Sequence, residues 1–210
     1  IIAEFKRSSP SRGIINDKAS PAEITSAYTR LGASGLSVLT DEYFFGGSSG
    51  DLLQARQNQI PILRKDFMID EYQVLEAKSM GADVILLIAS CLTPSRVKEL
   101  AAVAKNLGME ILLEIHQEDE LEHICDDVDL VGVNNRNLRN FEVDIETSVR
   151  LSEKIPANKI RISESGISEI AAIQRLKEFG YKGFLMGAYF MKQPDPSVAF
   201  ARFIQQLKTE

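Results

Sequence analysis

Short runs of apolar, often branched residues recur along the chain at residues 1–5, 36–39, 60–63, 84–88, 111–115, 130–133, 160–162 and 184–186. Each has the length of a strand and lacks the alternation expected of a sheet with one wet face, so each reads as a strand buried on both faces. Between them, apolar residues return with helical period at 21–31, 51–58, 71–80, 94–107, 117–124, 145–154, 169–179 and 196–207. Thr93 before Pro94 and Gly108 after Leu107 supply start and stop signals for one of these helices, and Gly32, Gly81 and Gly180 mark similar stops. Unbroken alternation of strand and helix calls for parallel pairing through right-handed crossovers. Eight such units predict an α/β fold closed into a (β/α)8 TIM barrel, a single catalytic domain spanning residues 1–210. The rival, an open doubly wound sheet, usually carries a glycine-rich fingerprint after its first strand. Here that place holds Lys6-Arg7-Ser8-Ser9-Pro10, and neither GxGxxG nor GxxxxGK[ST] occurs in the chain.

Composition narrows the partners. A net charge of −6 and a pI near 5.1 argue against nucleic acid, whose phosphates require a basic footprint. The longest apolar stretches are strand-sized, far below the ~20 residues of a membrane span, so no membrane association is expected. Cys91 and Cys125 have neither metal-ligand spacing nor the density of a disulfide scaffold, and His116 and His123 lack a neighbouring set of ligand-spaced carboxylates or thiols. No metal site is expected. The opening run is broken by Glu4 and Lys6 and has no basic leader, so it reads as a strand rather than a signal peptide, in keeping with a cytoplasmic enzyme.

In a barrel of this kind, polar residues at the C-terminal ends of strands project into the mouth. The strand ends here are rich in charge. Glu4 and Lys6 are two apart and share a face, the third strand runs into Arg64-Lys65-Asp66, and the fifth carries Glu114. The sixth ends in Asn134-Asn135-Arg136 and the seventh in Ser163-Glu164-Ser165-Gly166. Any one of these alone reads as a solvated side chain or a structural ion pair. Several at one rim demand mutual pairing or a polar ligand, and they push pKa values apart as acid and base chemistry requires. Ser165 and Gly166 after the seventh strand, and Gly187 and Ala188 after the eighth, stand where barrels commonly bind phosphate on backbone N–H groups, with Ser9 after the first strand close by. The long connections 8–20 and 41–50 both follow strands and are candidate lids. Phe45, Phe67 and Leu113 are candidates for an apolar wall or, equally, for core.

Taken in order, Ile2-Ala3-Glu4-Phe5-Lys6-Arg7 with Ser9-Pro10-Ser11, Leu36 to Asp41, Leu63-Arg64-Lys65-Asp66-Phe67, Leu113-Glu114, Asn134 to Leu138 and Ser163 to Ile167 resemble the indole-3-glycerol-phosphate synthase family over residues 1 to about 195. The resemblance implies decarboxylating and dehydrating ring closure of 1-(2-carboxyphenylamino)-1-deoxyribulose 5-phosphate, a lyase step of tryptophan biosynthesis needing no cofactor or metal. The protein partners it suggests are other enzymes of that pathway. It implies Lys65 as general acid, Lys6 as a proton-transfer group that meets the substrate, and Glu114 as the acid/base group of dehydration. Glu4 and Asn134 match groups that orient the lysines and the substrate hydroxyls, Glu164 a carboxylate near the anilino nitrogen, and Arg136 a group reaching a carboxylate. Ser9, Ser165, Gly166 and Gly187 match the phosphate cradle, in which Ala188 replaces a frequent Ser; Phe45 and Phe67 would wall the aromatic ring. Members usually carry a helical extension ahead of the first strand, which this sequence lacks. Two other functions stay open on the residues alone: a phosphosugar aldolase or isomerase using Lys65 or Lys6 as a Schiff base, and a phosphate-ligand binder without catalysis.

Overall fold

The structure, a computed structural model, describes residues 1–138 and 140–209. Eight parallel strands, β1 (Ile2–Phe5), β2 (Gly35–Leu39), β3 (Ile62–Lys65), β4 (Val84–Ile88), β5 (Glu110–Ile115), β6 (Leu130–Asn134), β7 (Ile160–Glu164) and β8 (Tyr181–Met186), close into a barrel in chain order, β8 pairing with β1. Around them run α1 (Pro21–Arg30), α2 (Ser49–Ala55), α3 (Glu71–Ser79), α4 (Pro94–Asn106), α5 (Glu146–Ser152), α6 (Ile170–Glu178), α7 (Ala188–Met191) and α8 (Pro196–Thr209). The start signals act as read: the Thr93 side chain accepts from Arg96 N with Pro94 following, and Asp70 with Gln73 forms a reciprocal capping box on α3.

Alternation along each strand makes two apolar layers. One cluster, including Leu63, Leu86, Leu112, Ile162 and Leu185, fills the barrel interior. A larger one, including Phe5, Val38, Ile85, Ile111, Leu113, Phe190 and Phe200, lies between barrel and helices. Each strand is thus buried on both faces, which is why it reads as a continuous apolar run.

The elements depart from the sequence reading in several places. β3 is two residues further on than expected, because Pro61 has no N–H for the ladder and instead lends its carbonyl to Leu36 N. Segment 117–124 is a 3-10 helix, Glu118–His123, not an α-helix. Glu120 Oε2 accepts from the backbone of His116 at 2.5 Å and Gln117 at 3.4 Å, fixing a tight turn in place of a longer helix. The connection 8–20 holds a small hairpin, Ser8–Ser9 with Gly13–Ile14, and the short α7 follows β8 directly. Among the described residues no helix is long and apolar enough to cross a membrane.

Candidate functional site

Strand period places the charges. Leu63, Leu112 and Ile162 point into the barrel interior, so Lys65, Glu114 and Glu164, each two residues on, point into it one layer higher. Ile2 leads in the same way to Glu4 and then Lys6. The apolar layer below forms a dry floor under the charged layer. Such a layer is tolerable only if its members satisfy one another.

They do so largely in one network. Lys65 Nζ donates to Glu114 Oε2 and to Glu164 Oε2, both at 3.0 Å. Lys6 Nζ pairs with Glu4 Oε1 at 2.6 Å, and Ser37 Oγ stands 3.5 Å from Glu4 Oε2. Asn134 Nδ2 donates to Glu114 Oε1 at 3.2 Å, while its Oδ1 accepts from Arg136 N at 3.0 Å. Burial alone would lower the Lys65 pKa, but the carboxylates of Glu114, Glu164 and Glu4 outweigh it and hold the ammonium charged. Burial likewise works against ionisation of Glu114, yet Lys65, His116 and Asn134 hold that carboxyl well below the usual range. Glu164 goes the other way. Desolvation dominates, Glu114 and Glu4 add like-charge repulsion, and its pKa is pushed up to about 7. Its Oε1 has no hydrogen-bond partner among the described residues. Two carboxylates on one lysine are therefore split into a firm anion and a group poised near neutrality, the separation that acid and base roles require.

Above this layer opens a cavity of about 650 Å³ lined by Glu4, Lys6, Lys65, Glu114, Asn134 and Glu164 on the floor, and by Ser9, Phe45, Phe67, Arg136, Ser165, Gly166, Gly187 and Ala188 on the walls. Ser165 and Gly166 both have positive φ, 65° and 77°. For Ser165 this backbone is strained. Asn135 holds it there, donating from Nδ2 to Ser165 O at 3.1 Å and from its backbone N to Glu164 O at 2.9 Å. Gly187 has a further reason to lack a side chain, since a Cβ there would lie 2.5 Å from Glu4 Oε1 and 2.8 Å from Glu4 Cβ.

At the rim, the even choice between wall and core for Leu113 falls to core, and Arg64 does not reach the mouth. Leu113 belongs to the layer between barrel and helices, because it alternates with the inward Leu112 and Glu114. Phe44 takes its place, its ring edge-on to Phe67 at 5.8 Å. Arg64 faces outward for the same reason, ties β3 to α3 through Glu76 at 2.7 Å and pairs with Asp66, just after β3, at 3.1 Å. The sequence reading also passed over Arg12 and Lys192, which line the cavity from a loop and from the residue after α7. Burial and then the neighbouring Arg12 charge lower the Arg136 pKa, so both guanidiniums act on the same side of the mouth. His116, read only as a non-ligand, stands next to Glu114; its place two residues after Glu114, just past the end of β5, was the available signal.

Comparison with known proteins agrees with this geometry. The sequence profile described as indole-3-glycerol phosphate synthase matches residues 1–203. A protein of that name from Bacteroides thetaiotaomicron is 49% identical over 209 residues, covering 99% of this chain and 80% of the relative. One from a Polaromonas species is 48% identical over 204 residues, covering 96% and 77%. Among solved structures, 3-hexulose-6-phosphate synthase from Salmonella typhimurium superposes with a TM-score of 0.76 at 11% identity, covering 99% and 97% of the two chains. A chain of the tryptophan synthase complex from Pyrococcus furiosus gives 0.73 at 16%, covering 100% and 98%. The last two likenesses are of fold alone.

Proposed function

The chain belongs to the indole-3-glycerol phosphate synthase family, and on that premise we propose how its mouth residues divide the work of the family's reaction. The protein is a carboxy-lyase of tryptophan biosynthesis, closing the indole ring of 1-(2-carboxyphenylamino)-1-deoxyribulose 5-phosphate with loss of carbon dioxide and water. The observation that carries the assignment of roles is the Lys65 ammonium, held 3.0 Å from each of two carboxylates beneath the cavity.

In this reading the ring carbon bearing the carboxylate attacks the ketone carbon, and a new carbon–carbon bond forms as the ketone oxygen takes a proton from Lys65. A fixed ammonium stabilises the charge growing on that oxygen. Glu164 lies near the anilino nitrogen as it becomes iminium-like, and Arg136 reaches the substrate carboxylate, which leaves as carbon dioxide. The new hydroxyl then departs as water, with Lys6 and Glu114 handling the protons; Glu4 orients Lys6, and Asn134 orients Glu114. Ser9, Ser165, Gly166, Gly187 and Ala188 receive the phosphate, and Phe45, Phe67 and Phe44 wall the anthranilate ring. A Schiff-base lysine must be neutral to attack, and the carboxylates around Lys65 favour its charged form, which supports proton donation over an aldolase-type adduct. The phosphorylated substrate supports a cytoplasmic setting. The test is the appearance of indole fluorescence from the anilino-deoxyribulose phosphate. Turnover without a borohydride-trapped adduct is the expected result; no indole product, or a trapped lysine, would overturn the reading.

A further inference from the structure

His116 lies two residues beyond Glu114, past the end of β5, and its ring is largely buried between two carboxylates. Nε2 is 3.3 Å from Glu114 Oε1, and Nδ1 is 3.5 Å from Glu120 Oε2. Neither nitrogen completes a well-aligned hydrogen bond among the described residues, so the ring acts on its neighbours chiefly by charge and close packing. Glu120 is itself anchored, accepting from His116 N at 2.5 Å. The other side of the His116 ring lines a separate small cavity bounded by Glu118 on the 3-10 turn and by Arg150 and Lys154 at α5. On the side of the active site, Glu114 is faced by Lys65 from β3 and Asn134 from β6, and Cys91 after β4 feels the charges of both Glu114 and Glu120.

We propose that His116 is a positioning residue for Glu114: wedged between Glu114 and Glu120, it holds Glu114 Oε1 from behind so that Oε2 stays aimed at Lys65, and its positive charge keeps the carboxylate ionised. The carboxylate is thereby clasped on one oxygen by Asn134 and His116 and on the other by Lys65. Burial works against the charged imidazole, but Glu114 and Glu120 overcome it and raise the His116 pKa to about 9, so the ring is charged at neutral pH. The proposal rests on the reading of Glu114 as the acid/base group of dehydration, and the experiment separates the two.

Five proteins are compared: wild type, Glu114→Gln, His116→Gln, the double variant of these two, and His116→Phe as a second packing of the ring's volume, with thermal melts to measure the folded fraction. If His116 acts through Glu114, His116→Gln and His116→Phe lower kcat about tenfold or more with little change in KM. The double variant loses no more than Glu114→Gln alone, because residues acting as one unit are non-additive. Near-wild-type kcat in both His116 variants, a loss that appears in KM instead of kcat, or losses that multiply in the double variant, would overturn the proposal. Normal kcat in Glu114→Gln would instead overturn the Glu114 assignment beneath it, and the positioning role with it.

Discussion

Lys65 is the residue on which both the chemistry and the local stability converge. With Glu114 Oε2 and Glu164 Oε2 each 3.0 Å from its nitrogen, removal of the ammonium leaves two buried carboxylates facing one another. Its strand-end position, taken from sequence alone, suggests that Lys65→Ala would hardly change stability; burial reverses that expectation, since breaking a buried pair leaves an uncompensated charge. We expect Lys65→Ala to lower kcat by about 10²-fold or more. It should also lower Tm at pH 8 by at least ~2–4 °C, the scale of 1 kcal/mol in a domain of this size. The sign with pH follows from the groups involved. The raised pKa of Lys65 means its contribution is in full force below its unfolded value and is lost only as pH rises through the folded one. Glu164, already at about 7, takes up a proton as pH falls, so the Tm deficit of Lys65→Ala should shrink between pH 8 and pH 5.5. Lys65→Arg keeps the field but gives up a proton far less readily, and should recover part of the Tm without recovering kcat. A variant with normal turnover, or a deficit that grows toward pH 5.5, contradicts this account.

At the scale of strands, the barrel makes room for its charged layer by omitting side chains opposite it. Gly132 on β6 pairs in register with Glu114 on β5 and Ile162 on β7, and a Cβ there would run into Glu164 Oε1 and lie 3.2 Å from Leu112 Cδ1. Gly132→Ala should push Glu164 away from Lys65 and lower kcat about tenfold or more, with overpacking costing about 1–3 kcal/mol. Gly183→Ala on β8 is the control. Its methyl would meet only Ile162 within the barrel, 2.5 Å from Cδ1, so it should cost stability while leaving kcat near normal; equal kcat losses in the two variants would sink the idea. Strand alternation made much of this legible in advance. Spacing of two from Leu63, Leu112 and Ile162 puts Lys65, Glu114 and Glu164 in one layer, and the run from β1 to β8 could be read from apolar segments alone. Clearance was not legible, since Gly132 reads as an unremarkable strand residue until Glu164 is seen crossing it. Nor was the 3-10 turn after β5, because Glu120 competes for backbone N–H groups only once the chain has folded back toward His116. Leu113 and Phe44 show the same limit. A one-residue step decides which layer a strand residue enters, and a loop ring's position depends on how the loop closes.

Over the whole molecule the charge is −6, yet the mouth gathers Lys6, Arg12, Lys65, Arg136 and Lys192 around one cavity. At an ionic strength of 0.15 M fields fade over ~8 Å, so an anion entering the mouth feels those cations more than the acidic outer surface. Clefts of one sign with low-dielectric walls further focus the field. Lys65 and Lys6 are already paired with carboxylates, which leaves Arg12, Arg136 and Lys192 as the mouth cations that no carboxylate within 4 Å neutralises among the described residues. In the proposed reading, the backbone of Ser165 and Gly166, turned by two positive φ angles, and that of Gly187 and Ala188 would provide the donors for a phosphate group. Inorganic phosphate should therefore raise Tm beyond sodium chloride of equal ionic strength. A site filled to 100 times its Kd gains about 2.7 kcal/mol, and at fixed phosphate the gain should fall as salt is added. Amide chemical shifts locate the effect: those of Ser9, Ser165, Gly166, Gly187 and Ala188 should move together along one binding curve. Phosphate should also compete with substrate, raising KM while leaving kcat unchanged. Shifts confined to the outer helices, or stabilisation that chloride reproduces, would place the anion elsewhere and leave the mouth's cations to the substrate carboxylate alone.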